Sequence, residues 1–155
     1  MLFRSVSDFE ELNKNIVNTS LSKDDIHPLE DPVYISVENA NFLEDADKVF
    51  IYEANDSVYI FPQMIMVWHE IVNEIIDGES VSITYCPLTG SVIGYEGNIG
   101  GHNDNTYGTS GNLLNSNLVM YDRNTDSTIP QIFGIAINNS LEGLELKTKP
   151  VYWAD

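Results

Sequence analysis

The chain has 155 residues, of which 43% are hydrophobic and 10% aromatic, so it can bury a core as one domain and is too apolar to be disordered. Its 24 acidic and 7 basic side chains give a formal charge of −17, which repels nucleic-acid phosphates and anionic lipid headgroups. The composition therefore argues against nucleic acid and acidic membranes as partners.

The chain has one cysteine, Cys86, so no disulfide can form within it. Residues 1–12 have neither an apolar run nor a small-residue cleavage site. No later stretch approaches the roughly 18 apolar residues that a membrane helix needs. We expect a soluble protein without membrane insertion, which is cytoplasmic if this sequence is the whole chain. The sequence does not predict its oligomeric state.

Residues 1–25 are predicted to form an N-terminal helical extension, followed by a single β-rich domain at residues 26–155. Ser7 and Glu10 have the spacing of a capping box at the start of a helix. Apolar residues recur at helical spacing behind them, at Val6, Phe9, Leu12 and Ile16. The residues that follow, 20–32, mix Ser, Asp and Pro without periodicity and are predicted to be irregular.

Two strands at 49–52 and 57–61 are predicted to form a hairpin with Asn55 and Asp56 at the turn. Pro62 suits the first turn of a helix, and helical spacing continues as far as Ile76.

A cluster of β-branched residues before the Asp77-Gly78 turn disfavours a helix through to Ile76. We therefore predict a helix ending near Trp68 and then a hairpin that returns through a strand at 80–85. Met64, Met66 and Trp68 are interpreted as core residues rather than as the lining of a ligand pocket.

Pro87 and Gly90 follow Cys86 closely and are predicted to hold it at a strand end, where functional side chains tend to lie. Ser110 and Gly111 are predicted to end a later strand in a turn. Further strands are predicted at 91–95, 106–109, 118–121, 131–137 and 144–148. Short strands with frequent turns indicate a mainly β fold, an antiparallel sandwich or partly open barrel with one or two short helices.

Three motifs carry a resemblance to a known family. They are Trp-His-Glu-Ile-Val-Asn at 68–73, Thr-Tyr-Cys-Pro-Leu-Thr-Gly-Ser at 84–91, and the run at 108–123 that ends in Leu-Val-Met-Tyr-Asp-Arg. In this order they resemble the DUF3179 family, a domain of unknown function. The resemblance implies a β-rich fold and a shared site, and no established activity. Many family members have a second cysteine where this chain has Thr89, so a two-thiol function cannot be essential here.

Cys86 and His69 are the one cysteine–histidine pair that we expect to meet. A nearby imidazole can lower the pKa of a thiol and make it a nucleophile. We predict Cys86, His69 and Asn73 as catalytic residues, with Asn73 or Glu70 orienting the imidazole. Gln131 or the backbone N–H groups of residues 89–91 could bind an oxyanion. The other polar residues of the motifs are candidate ligand-binding groups: Glu70, Ser110, Asn115, Tyr121, Asp122 and Gln131.

The same His69 and Cys86 are also candidate ligands of a transition metal, either zinc, copper or iron. A third ligand would come from one of four residues, Asp122, Met120, Glu70 or His102. The paired spacing of a structural zinc site is missing, so no cofactor is firmly predicted.

Three hypotheses follow from these residues. The first is a thiol-dependent enzyme or redox protein that acts on a small molecule through Cys86 and His69. The second is a non-catalytic domain that binds a metal or a small ligand with the same polar cluster. The third is a purely structural domain.

Overall fold

The computed structural model describes residues 6–101 and 106–155. In these stretches the chain forms two α-helices, α1 (Val6–Lys14) and α2 (Gln63–His69), and 3-10 turns at Val37–Asn39 and Asn139–Leu141. The first strands are β1 (Ile16–Asn18), β2 (Leu29–Glu30), β3 (Val49–Ala54), β4 (Ser57–Pro62), β5 (Ile71–Ile76) and β6 (Glu79–Cys86). The remaining strands are β7 (Ser91–Glu96), β8 (Tyr107–Leu114), β9 (Asn117–Asp122), β10 (Thr128–Pro130), β11 (Thr148–Lys149) and β12 (Tyr152–Ala154).

The strands form three sheets, with the orders β1-β8-β9-β10, β11-β7-β6-β5-β2 and β12-β3-β4. Neighbouring strands pair antiparallel except β2 and β5, which pair parallel. The predicted mainly β, sandwich-like fold with short helices is confirmed, and the sheets do not close into a barrel. No helix within the described stretches is long and apolar enough to cross a membrane.

The five-stranded sheet is the middle layer, as the alternation of side chains along its strands shows. Ile83 and Tyr85 of β6 and Val72 of β5 pack with residues of β3, β4 and α2 in what we call the first core. Cys86 and Ile71 point to the opposite face and pack with residues of β8 and β9 in the second core. The two cores therefore pack against opposite faces of this sheet.

The β5–β6 hairpin confirms the prediction of a short helix followed by two strands. The strands pair from Ile71 opposite Thr84 to Ile76 opposite Glu79. Asp77 and Gly78 turn the chain with positive φ angles of 53° and 81°. Helix α2 ends at His69 because the next residue, Glu70, adopts a left-handed conformation.

The N-terminal residues pack against the rest of the domain. Phe9 of α1 is buried with Ile135 and Ile137, and β1 pairs with β8. The predicted helix was too long at its end, because Ile16 lies in β1, where it pairs with Leu114. Pairing with β8 therefore overrides the helical spacing of the apolar residues.

The prediction that a strand ends at Ser110-Gly111 is wrong. Strand β8 continues to Leu114 through an irregularity in its pairing with β9 between Thr109 and Asn112. Gly111 has a φ of 75°, which a β-bulge uses as readily as a turn does.

The predicted strands at 131–137 and 144–148 are also wrong. Strand β10 ends at Pro130, and the carbonyl oxygen of Pro130 accepts the N–H groups of Phe133 and Gly134, which closes a turn. Only a single bridge, Ile135 with Glu145, connects the two stretches as strands would. The last strand pair, β12 with β3, was not predicted.

Gly111→Ala tests the bulge, with Gly78→Ala as its control. A Cβ at position 111 would lie 2.3 Å from the carbonyl oxygen of Leu21, whereas a Cβ at position 78 meets no atom within 4 Å. Both positions have positive φ, so each alanine costs about 1–2 kcal/mol of backbone strain. We expect Gly111→Ala to lower the free energy of unfolding by about 2 kcal/mol more than Gly78→Ala, as measured by denaturant titration. Equal losses would contradict the close approach.

Candidate functional site

Cys86 is the last residue of β6, which confirms its predicted place at a strand end. The turn behind it closes through a 2.8 Å hydrogen bond from the Gly90 N–H to the Cys86 carbonyl oxygen. The side chain is 1% exposed. Its Sγ accepts the N–H of Leu118 at 3.3 Å and lies 3.7 Å from the carbonyl oxygen of Ser116, to which the thiol donates. The thiol is therefore held between β6 and β9.

His69 is the last residue of α2, and its imidazole is partly exposed. Its Nδ1 lies 2.8 Å from the carbonyl oxygen of His27. Because a carbonyl can only accept, Nδ1 carries a proton, and in the neutral ring Nε2 is then an acceptor. Within the described residues, the hydrogen bonds of His69 and Cys86 go to different partners. The catalytic pairing of the two residues stays a prediction.

Glu70 follows His69 in a left-handed backbone conformation with a φ of 58°. Its carbonyl oxygen accepts the N–H of Tyr85 at 2.7 Å, so its backbone lies beside the end of β6. Burial raises the pKa of the Glu70 carboxyl to about 7. The carboxyl forms no hydrogen bond or ion pair with another residue of the described stretches. The backbone of Glu70 is thus opposite Tyr85, the residue that precedes Cys86 in β6.

Asn73 is 5% exposed and joins β5 to β8. Its Nδ2 donates to the carbonyl oxygen of Tyr107 at 2.9 Å, and its Oδ1 accepts the N–H of Tyr107 at 3.0 Å. The hydroxyl of Ser82 also donates to Oδ1, at 2.8 Å. The amide therefore forms with the backbone of Tyr107 the same pair of hydrogen bonds that a residue of a neighbouring strand would form. It forms no hydrogen bond with the imidazole of His69, which it was predicted to orient.

Gln131 is fully buried and forms a second polar connection between the sheets. Its Oε1 accepts the hydroxyl of Ser91 at 2.7 Å and Nδ2 of Asn117 at 2.8 Å. Its Nε2 donates to the carbonyl oxygen of Ser91 at 3.1 Å and to both oxygens of Thr84, at 3.2 and 3.3 Å. Each polar atom of the side chain has a partner, so none is left for an oxyanion.

Asn117 belongs to the same network, although only Asn115 was predicted as a site residue. Asn117 is 3% exposed, and its Oδ1 accepts the N–H of Ile132 at 3.0 Å. Asn115 is exposed and forms the β8–β9 turn with Ser116, both at positive φ. The two asparagines belong to one sequence motif. Asn115 is exposed because it lies in the turn, and Asn117 is buried because it begins β9.

The other candidate ligand-binding residues lie in separate places. The hydroxyl of Ser110 donates to the carbonyl oxygen of Val119 at 2.5 Å, inside the bulge. The hydroxyl of Tyr121 donates to Asp24 at 2.6 Å. Asp122 is fully buried, and its Oδ2 accepts the N–H and hydroxyl of Thr125 at 2.9 and 2.6 Å. These three side chains therefore bind protein groups, although Oδ1 of Asp122 is buried without a hydrogen-bond partner among the described residues.

Among residues 6–101 and 106–155, no three His, Cys, Asp or Glu side chains lie close enough together to hold a metal ion. His102, which was a candidate ligand, lies outside the described residues. Met120 is fully buried in the second core. The candidate metal site at His69 and Cys86 stays a prediction.

The sequence matches the model of a family described as "Protein of unknown function (DUF3179)" over residues 23–155. No curated protein and no solved structure matches the chain.

Asn73→Ala tests the connection between the middle sheet and β8. The change leaves the buried N–H and carbonyl of Tyr107 without their partner, which costs about 3 kcal/mol of unfolding free energy. Asn18→Ala, at an exposed position of β1, is the control and should change stability by less than about 0.5 kcal/mol. Denaturant titration measures both, and an equally small effect at Asn73 would contradict the proposed connection.

Glu70→Gln tests the effect of burial on the Glu70 carboxyl. The folded protein favours the protonated form, so the unfolded chain ionises first as the pH rises from 4.5, and stability falls up to a pH of about 7. Glutamine cannot ionise. The measured quantity is the free energy of unfolding of Glu70→Gln minus that of wild type. We expect this difference to be about 1–2 kcal/mol larger at pH 8 than at pH 4, after allowance for solvent screening of the partly exposed carboxyl.

The measurement is thermal unfolding of both proteins from pH 4 to pH 8. Glu53→Gln, at an exposed position of β3, is the control for a change of net charge. A difference between Glu70→Gln and wild type that does not vary with pH would show that burial does not hold the proton on Glu70.

Proposed function

The chain belongs to the DUF3179 family, and we propose that it acts on a small molecule by proton transfer at the junction of α2 and β5, where His69 and Glu70 follow one another. Family membership fixes neither the reaction nor the substrate. The proposal therefore depends on the chemistry of these two side chains.

The burial of the Glu70 carboxyl carries the proposal. The partly buried carboxyl has a pKa of about 7, so it can both release and accept a proton near neutral pH. Since the carboxyl binds no other group in the described part of the chain, it is available to a bound molecule.

His69 supplies a second proton-transfer group beside Glu70. The carbonyl oxygen of His27 holds the proton on Nδ1 and fixes the ring, which leaves Nε2 as a base. Trp68 precedes His69 and is 77% exposed, so its ring offers an apolar surface to a substrate. In the chain, a carboxyl with a pKa of about 7 thus directly follows an imidazole whose Nε2 can accept a proton.

Thiol chemistry at Cys86 is the second candidate function. One observation favours it: the Leu118 N–H donates to Sγ, so the sulfur already acts as a hydrogen-bond acceptor. Against it stand the burial of the side chain and the binding of His69 to a different partner. In this hypothesis the contact of Cys86 with Ser116 and Leu118 must open before a substrate reaches the sulfur.

Hydrolysis of 4-nitrophenyl acetate, a small ester that reports general acid–base and nucleophilic catalysis, separates the two candidates. If His69 and Glu70 catalyse the reaction, His69→Ala and Glu70→Gln should each lower the rate above buffer by about 10-fold to 100-fold. The wild-type rate should also have an inflection near pH 7, and Glu70→Gln should lack it.

His27→Ala is the matched control, because His27 contributes its backbone carbonyl and alanine keeps that group. Its rate should equal that of wild type. Cys86→Ser tests the second candidate: an unchanged rate supports proton transfer, and a complete loss assigns the reaction to the thiol. A wild-type rate no greater than buffer, or rates unaffected by both His69→Ala and Glu70→Gln, would contradict the proposal.

A further inference from the structure

A pocket of about 270 Å³ lies between helix α2, strand β4 and residues 32–43, which we call the strap. Its floor consists of Phe61, Met66 and Val72, three buried residues of the first core. The remaining lining residues come from the strap and its surroundings, among them Val33, Tyr34, Val37, Ala40 and Ile65. Tyr34 is the one residue of this lining with a polar side chain.

The interpretation of Met64, Met66 and Trp68 as core residues is confirmed for Met66 and wrong for Met64 and Trp68. Met66 is buried and lines the pocket, whereas Met64 and Trp68 are exposed on the outside of α2. Helix α2 therefore has one side in the pocket and one side in solvent.

The strap is attached to the body of the protein through side chains. Its backbone hydrogen bonds are local, from Asn39, Ala40 and Leu43 to residues three positions earlier. In the part of the chain that the structure describes, no backbone hydrogen bond joins residues 32–43 to a sheet. The strap can therefore shift outward without breaking the pairing of any strand.

Tyr34 provides the main attachment of the strap. Its ring packs edge-on against Tyr59 and Phe61, with centroid distances of 5.3 and 6.4 Å. Burial and the nearby carboxylate of Glu74 on β5 raise the pKa of its hydroxyl. On either side of Tyr34, the strap leaves apolar side chains open to solvent, with Val33 at 94% and Val37 at 70% exposure. A molecule bound in the pocket would cover these apolar side chains of the strap and remove them from water, which is favourable.

The size and charge of the pocket define the class of ligand. A volume of about 270 Å³ is close to the lower limit of small-molecule sites, roughly 300 Å³, and too small for a helix or a second chain. No charged side chain lines it, and the carboxylates of Asp31 and Glu74 lie in the adjoining depression next to Tyr34. Those carboxylates, and the charge of −17, disfavour an anion.

We infer that this pocket is a binding site for a small, uncharged, apolar molecule. The site is separate from the proton-transfer groups, because neither His69 nor Glu70 lines it.

Two fluorescent probes with the same rings test the inference. N-phenyl-1-naphthylamine is uncharged, and 8-anilinonaphthalene-1-sulfonate carries one negative charge. We expect the uncharged probe to bind saturably at one site per chain, and the sulfonate to bind at least about 10-fold more weakly. An absence of saturable binding, or equal affinity for both probes, would overturn the inference.

Ile65→Trp and Val67→Trp locate the binding. Ile65 lines the pocket, whereas Val67, two residues along the same helix, is 43% exposed and lies outside the lining. Ile65→Trp should weaken binding of the uncharged probe at least about 10-fold by filling the pocket, and Val67→Trp should leave it unchanged.

Circular dichroism shows whether each variant is folded. Should Ile65→Trp unfold, Ala40→Phe fills the pocket from the strap instead, with the same expected loss of binding. Equal effects of Ile65→Trp and Val67→Trp would place the probe on the exposed surface of α2 and overturn the assignment.

Discussion

Two buried side-chain amides hold the middle sheet against the four-stranded sheet. The amide of Asn73 has a donor and an acceptor spaced like those of a backbone residue, and both bind Tyr107. Gln131 connects β6 and β7 to β9 in a similar way, through Thr84, Ser91 and Asn117. Unpaired polar groups are costly inside a core, so these bonds allow one relative position of the two sheets. The contact between Cys86 and Leu118 depends on that position.

The same bonds distinguish the predicted site residues from one another. Asn73, Gln131 and Ser110 were all predicted to act in a site, yet the protein itself uses their hydrogen-bonding groups. Glu70 and His69, which we propose as the functional pair, differ, because within the described residues neither the Glu70 carboxyl nor Nε2 of His69 has a hydrogen-bond partner. Polar side chains with unused hydrogen-bonding capacity can bind a substrate, and those that are already paired would have to give up a partner.

Local chemistry made part of this structure predictable from the sequence. The end of α2, the Asp77-Gly78 turn and the strand-end position of Cys86 all follow from residues close in the chain. The sequence could not show which distant strands pair, because β12 with β3 and β1 with β8 depend on contacts across the whole domain.

The sequence could show the surroundings of the predicted site residues only in part, for a related reason. The hairpin does bring the backbone of Glu70 beside the end of β6, as the sequence indicated. The imidazole of His69, at the end of α2, contacts the carbonyl oxygen of His27, a partner that no local pattern reveals. Gly111 was misinterpreted because turns and bulges both use glycine at positive φ.

Strand β5 has consequences for how the sequence can vary. Val72 faces the apolar pocket, Asn73 faces Tyr107, and Glu70 ends the helix before them. An insertion or deletion of one residue here would exchange the two faces of the strand and send an amide into the pocket. Homologous chains of different length should therefore accommodate their extra residues elsewhere, for example at the Asp77-Gly78 turn, where added chain projects into solvent.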